Sequence, residues 1–169
     1  MAPLPAALDP QARLIAWRLD KQAHAQDWDS GEGARLFGGR WNPKELSVVY
    51  CSLDPATCIM EAAVHKGFPV LDTQRHILTS MQILDPGSVR IIRPGDVPNP
   101  AWLDPGTPSA GQQRWGADLL AQHPFVMFPS VVSKRSWNLV FQPSTAEGRY
   151  LLVDQEALSI DGRLNPPAP

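Results

Sequence analysis

The sequence predicts an α+β domain. Three observations lead there. Short alternating or β-branched runs recur from Leu14 to Val153, two segments carry helix start and stop signals, and no repeat or long linker divides the chain. At 169 residues one domain is the expectation, with length enough for a real core.

The elements follow in order. Residues 1–11 are rich in Pro and Ala and read as a loose arm. Leu14 to Leu19 alternates as a first strand and carries Arg18, a long cation among apolar neighbours, either at an open face or pointing into a site. Residues 20–37 are polar, contain Gly31 and Gly33, and read as a loop, long enough to suggest a functional one. Leu46 to Cys51 is a β-branched strand with Tyr50 near its end. Asp54 is placed to cap a helix, Pro55 suits its first position and Gly67 its stop. Between them Ile59, Met60, Ala63 and Val64 supply an apolar face, and Glu61 shares its side of the helix with Thr57, Cys58, Val64 and His65.

Ile77 to Leu84 reads as a strand, Val89 to Ile92 as a short one, and 93–108 as a Pro-rich loop. Ser109 to Gln122 is a second helix with Trp115, Leu119 and Leu120 inward. The apolar run Phe125 to Val132 is broken by Pro129-Ser130, which places the Ser130 hydroxyl at a kink. Trp137 to Phe141 and Tyr150 to Val153 close the sheet.

Composition excludes several classes. Net charge is −2 and the pI about 6.0, so a broad basic face for a nucleic-acid backbone is not expected. Cys51 and Cys58 read as small core residues rather than a disulfide framework, and the four histidines show no ligand spacing, so no metal is expected. No signal peptide or long apolar run stands out, and a cytoplasmic location is the expectation. No G-x-G-x-x-G follows a strand, which argues against a Rossmann site.

The stretch Gly38-Gly39-Arg40-Trp41-Asn42-Pro43 draws most attention. Two glycines permit a tight corner, the Trp packs, and Asn-Pro marks a turn. Such a corner presents one guanidinium, whose planar fork suits a phosphate or carboxylate. The plainer alternative is a surface turn with a solvated Arg.

The ordered set Arg18, Gly-Gly-Arg40-Trp-Asn, Val-Val-Tyr50, Glu61 with Val64-His65, and Pro-Ser130 followed by Asn138 resembles the RES-domain family. The resemblance runs from about Ile15 to Val153 and is strongest over Gly31 to Asn42. It implies an ADP-ribosyltransferase-like core, a small split antiparallel sheet with packed helices. It implies a RES domain over 14–160, between an arm at 1–13 and a Pro-rich tail at 161–169. It also implies a toxin of a type II toxin–antitoxin pair that consumes NAD⁺, with an Xre-type antitoxin blocking the site and a homodimer as a further option. By the same resemblance Arg40, Tyr50, Glu61 and Ser130 are the catalytic positions, while Arg18, Arg40, Tyr50, Ser130 and Asn138 are the binding positions. Two departures stand out. Lys44-Glu45-Leu46 lacks a glycine often found before the next strand, and Gln142-Pro143-Ser144 stands where Asn-Pro with a nearby histidine is usual.

The chemistry suits these residues. Breaking the nicotinamide–ribose bond builds positive charge on the ribose, and nicotinamide leaves without needing a proton. A carboxylate beside the ribose is then the most useful group, as in glycosidases, and Glu61 is the candidate. Arg18 and Arg40 are left to hold the pyrophosphate. Tyr50 would pack by the nicotinamide ribose or ring, and Ser130 would orient Glu61 or donate to the substrate. Alternatives are a transferase modifying one cellular protein, a non-catalytic antitoxin-binding co-repressor, and an RNA-cleaving toxin, the last disfavoured by the acidic pI.

Overall fold

The computed structural model describes residues 13–106, 108–159, 161 and 163. The expected arm and tail lie, apart from Arg13, Asp161 and Arg163, outside the described residues. Seven strands form one sheet in the order β4-β5-β6-β2-β1-β3-β7. They are β1 (Leu14–Lys21), β2 (Val49–Ser52), β3 (His76–Ile83), β4 (Val89–Ile91), β5 (Phe125–Pro129), β6 (Trp137–Phe141) and β7 (Tyr150–Leu158). Five helices accompany them: α1 (Glu32–Phe37), α2 (Pro55–Lys66), α3 (Phe68–Thr73), α4 (Ala110–Gln122) and α5 (Pro143–Ala146). The α+β class expected from the sequence holds. The pairing is antiparallel except at one edge, where β4 runs parallel to β5.

The sheet is nearly two sheets. β1 pairs with β3 along its whole length, from Leu14 opposite Ile83 to Lys21 opposite His76. β2 pairs with β6 from Val49 to Ser52. Between β1 and β2 the register holds only at Trp17 opposite Ser52. The strands splay apart beyond that pair.

Alternate residues sort the core into layers. Leu14, Ala16, Val49, Cys51, Met81, Phe125, Leu139 and Phe141 bury one face across both halves. On the other face α4 and the Pro-rich loop cover the β5-β6-β2 half, with Trp41, Trp102, Leu120, Phe128 and Val140. There α2 and α3 cover the β1-β3 half, with Leu19, Cys58, Ala63, Leu71 and Leu78.

Local chemistry explains the helix ends. The Asp54 carboxylate accepts from Thr57 N at 2.7 Å and Thr57 Oγ1 at 2.7 Å, and Gly67 closes α2 with a φ of 81°. Ser109 caps α4 by accepting from Gln112 N at 3.2 Å. Three expectations need correction. The region 20–37 is not all loop: β1 runs to Lys21 and α1 follows. Helix α1 starts from Gly31 in the left-handed region, has no side-chain cap and buries no residue, so neither local signal announced it. In α2 Met60 and Val64 are not inward; they are 44% and 63% exposed, because the buried stripe is turned toward α3, a helix beyond the expected stop. β7 continues past Val153 to Leu158.

Candidate active site

The gap between the two halves is a cleft of about 650 Å³. Its lining includes Arg18 and Asp20 from β1, Arg40 from the glycine corner, Tyr50 and Ser52 from β2, Glu61 from α2 and Asn138 from β6. The volume falls in the range of small-ligand sites.

Glu61 projects from α2, which packs against β1, α3 and β2, and its carboxylate is gripped by groups from the β5-β6 side. Ser130 Oγ donates to Glu61 Oε1 at 2.7 Å, and Asn138 Nδ2 donates to the same oxygen at 2.6 Å. Ser130 is wholly buried at the end of β5 and its oxygen accepts from Val132 N at 3.2 Å and Ser133 N at 3.0 Å. Its one proton is therefore committed to Glu61. Of its two expected uses, orienting Glu61 is the one this geometry serves. Oε2 of Glu61 has no hydrogen-bond partner among the described residues.

The glycine corner is built as the sequence suggests. A Cβ on Gly39 would lie 2.5 Å from Tyr50 Oη and 2.6 Å from Asn42 Oδ1, so only glycine fits. Trp41 stacks on Phe128, ring centroids 4.2 Å apart and planes 6° from parallel. Helix α4 holds the corner from behind: Gln113 Nε2 donates to Gly39 O at 2.8 Å. Gly116 passes so close that a Cβ there would sit 2.3 Å from the Trp41 carbonyl oxygen.

The corner presents the Arg40 guanidinium, but not freely. Nη1 donates to Trp102 O at 2.7 Å, and Asp104 O stands 3.5 Å from both Nη atoms. The Pro-rich loop thus takes one edge of the fork. Burial pulls the Arg40 pKa below its ordinary value, while the negative field of Glu61 works against that fall.

Tyr50 is doubly engaged. Its hydroxyl donates to Asn42 Oδ1 at 2.7 Å and accepts from Trp41 N at 3.1 Å. Burial raises its pKa. The phenol braces the corner, and its ring faces the cleft wall. Its backbone carbonyl accepts from Arg18 Nη1 at 3.0 Å.

Arg18 points inward, not out to solvent. Nη2 donates to Asp20 Oδ1 at 2.8 Å and Nε lies 2.7 Å from Oδ2, while the side chain keeps 24% exposure. Burial works against its charge, but Asp20, with Cys51 and Cys58, outweighs this and its pKa stands above the ordinary arginine value.

All six expected positions therefore border one space: Arg18, Arg40, Tyr50, Glu61 and Asn138 line it, and Ser130 lies behind Glu61. Sequence reasoning missed three supporting residues. Asp20 sits two residues from Arg18 on one strand, hence on its face, and that spacing was visible. Ser52 stands in the same relation to Tyr50, and its Oγ donates to Asn138 Oδ1 at 2.8 Å. Asn42 was seen only as a turn residue, yet it is buried and receives the Tyr50 hydroxyl. Among the described residues no group of three or more His, Cys, Asp or Glu could hold a metal ion, and no helix is long and apolar enough to cross a membrane.

The departure after Pro43 has a visible cost. Glu45, within the segment that carries no glycine, adopts a φ of 69°, in the left-handed region. Arg35 steadies it: Glu45 N donates to Arg35 O at 2.8 Å, and Arg35 Nη1 lies 3.3 Å from the Glu45 carboxylate.

Comparison with known proteins gives consistent matches. The model of a family described as the RES domain matches residues 15–161. A Sphingobium sp. (strain YBL2) protein named Prs ADP-ribosylating toxin is 24% identical over 144 residues, 79% of this chain and 84% of that protein. Toxin Res of Photorhabdus laumondii subsp. laumondii is 32% identical over 66 residues, 39% of this chain and 42% of that one. In fold, the chain is similar to one in the crystal structure of the M. tuberculosis MbcT–MbcA toxin–antitoxin complex. The TM-score is 0.68 at 21% identity, covering 87% of this chain and 85% of the other.

Proposed function

This chain belongs to the RES-domain family, and from that premise we propose that it is a toxin that cleaves NAD⁺ at the nicotinamide–ribose bond. The observation that carries the proposal is the Glu61 carboxylate, pinned through Oε1 by Ser130 and Asn138 with Oε2 left for a ligand. Two arginines border the same cleft. A fixed anion beside a ribose stabilises an oxocarbenium-like transition state more than the ground state, because positive charge grows only as the bond breaks. Being held beforehand, it needs no reorganisation as the reaction proceeds. Arg18 and Arg40 each retain N–H groups beyond those bound in the protein, and these would receive the pyrophosphate. Tyr50 would lie along the nicotinamide ribose. Water or phosphate would then take the ADP-ribosyl group.

The unit responsible would be the RES domain of residues 14–160, acting in the cytoplasm. The partner would be an Xre-type antitoxin that occludes the cleft. Exposed apolar residues at its mouth, Leu36 and Phe37 from α1 and Val64 from α2, offer such a partner a footing. Homodimerisation remains a proposal with the oligomeric state in solution as its test.

Purified protein incubated with NAD⁺, with and without inorganic phosphate, should release nicotinamide observable by NMR. Glu61→Gln should keep the fold and lose at least about a thousandfold in turnover. Full activity in that variant would refute the mechanism. Release that depends on phosphate would name the acceptor.

A second reading is favoured by the relative named Prs ADP-ribosylating toxin, which matches this chain along most of its length. The same cleft would then transfer ADP-ribose to a protein. Labelled NAD⁺ in a lysate separates the two, since label would reach protein only by transfer.

A further inference from the structure

We infer that Ser52 is a positioning residue for Glu61, acting through the Asn138 side-chain amide. The inference rests on the catalytic role proposed for Glu61. Ser52 and Asn138 are direct cross-strand partners on β2 and β6, and their side chains share one face. The chain of hydrogen bonds runs Ser52 Oγ to Asn138 Oδ1 at 2.8 Å, then Asn138 Nδ2 to Glu61 Oε1 at 2.6 Å.

An amide has two ends, and a carboxylate accepts only from its nitrogen. With Nδ2 committed to Glu61, Oδ1 is the end of the amide left to accept, and it points to β2. The Ser52 hydroxyl is its donor, on a residue only 3% exposed. Without it the orientation that serves Glu61 would leave the half-buried amide oxygen without its protein donor, and the amide less firmly held. The same bond polarises the amide and strengthens its N–H toward the carboxylate.

Location adds to this. Ser52 is also the residue opposite Trp17, where the two halves of the sheet are joined. The hydroxyl that fixes the amide therefore stands on the one registered pair between β1 and β2. Glu61 comes from α2, which packs on both β1 and β2 at this junction, so its distance from the clamp depends on the pair that joins those strands.

The test uses Ser52→Ala together with two variants of equal volume, Ser52→Thr and Ser52→Val. Only the first of that pair keeps the hydroxyl. Nicotinamide release should show kcat lowered roughly 3- to 30-fold in Ser52→Ala and in Ser52→Val. KM should stay within about twofold and Ser52→Thr should remain close to wild type, since the bound groups of the substrate are untouched. In an Asn138→Ala background Ser52→Ala should cost nothing more, because the residue acts only through that amide. In ¹⁵N–¹H spectra the Asn138 side-chain resonances should move in Ser52→Ala and Ser52→Val and return in Ser52→Thr. Multiplying losses in the double variant, or unmoved Asn138 resonances, would overturn the inference. If wild type releases no nicotinamide, the NAD⁺ reading falls, and the Asn138 resonances alone decide whether the clamp exists.

Discussion

The two halves of the sheet are built to different standards. In the β5-β6-β2 half every residue of β5 is buried, and β6 is buried except at Asn138, the residue that turns to the cleft. Both faces are covered. In the β1-β3-β7 half the edge strand β7 leaves Leu151, Leu152 and Val153 about half exposed, and Val153 falls at a register shift opposite Ser80 and Met81. The division of labour follows. Groups that fix the carboxylate, Ser130, Asn138 and Ser52, all come from the densely packed half, where side chains have least freedom. The other half supplies Arg18 with Asp20, a cation that under the proposed function would bind by charge and tolerate looser placement. A carboxylate needs placement within a fraction of an ångström to act on a transition state; a phosphate-binding cation does not.

The contrast is broken most severely by packing changes. Phe128→Ala removes the ring stacked on Trp41 and should destabilise the fold by about 3–5 kcal/mol, whereas Leu152→Ala at the open edge should stay within about 0.5 kcal/mol. Denaturant unfolding of the two variants measures both; similar losses would mean the halves are equally consolidated. Next in size, steady-state kinetics should divide by side. Asn138→Ala should lower kcat about 10- to 100-fold with little change in KM, and Asp20→Asn should raise KM roughly tenfold with little change in kcat. A kcat effect from Asp20→Asn would place Arg18 in the chemical step. The smallest effect concerns the loop between corner and β2. Glu45→Gly removes a left-handed non-glycine residue, with some loss of its bonds to Arg35, and should stabilise the protein by about 0.5–1 kcal/mol, seen as a higher melting temperature.

The same division shows what the sequence made legible. Asp54, Pro55 and Gly67 gave the ends of α2, and Ser109 that of α4, because capping is decided within three or four residues. The glycine corner announced itself because Gly39, Arg40 and Asn42 are neighbours in the chain. Helix α1 did not, since Gly31 offers no capping side chain and none of its residues is buried. The order of strands was hidden, as was the parallel seat of β4, because those pairings join segments far apart in sequence. Arg40 was expected as a free fork; its loop partners at Trp102 and Asp104 lie more than sixty residues on. Ser52 and Asn138 are separated by 86 positions, so nothing local to β2 linked that hydroxyl to Glu61.

Gly116 and Gly39 leave no room for even one more carbon. Under the proposed activity this has a genetic consequence. Among bacteria that survive forced expression of the chain, inactivating alleles would accumulate at these two codons as well as at the codon for Glu61. A blot of the soluble fraction would sort the survivors. Alleles at the glycine codons would remove the band and alleles at the Glu61 codon would keep it, so one round of selection would map the mould and the tool separately.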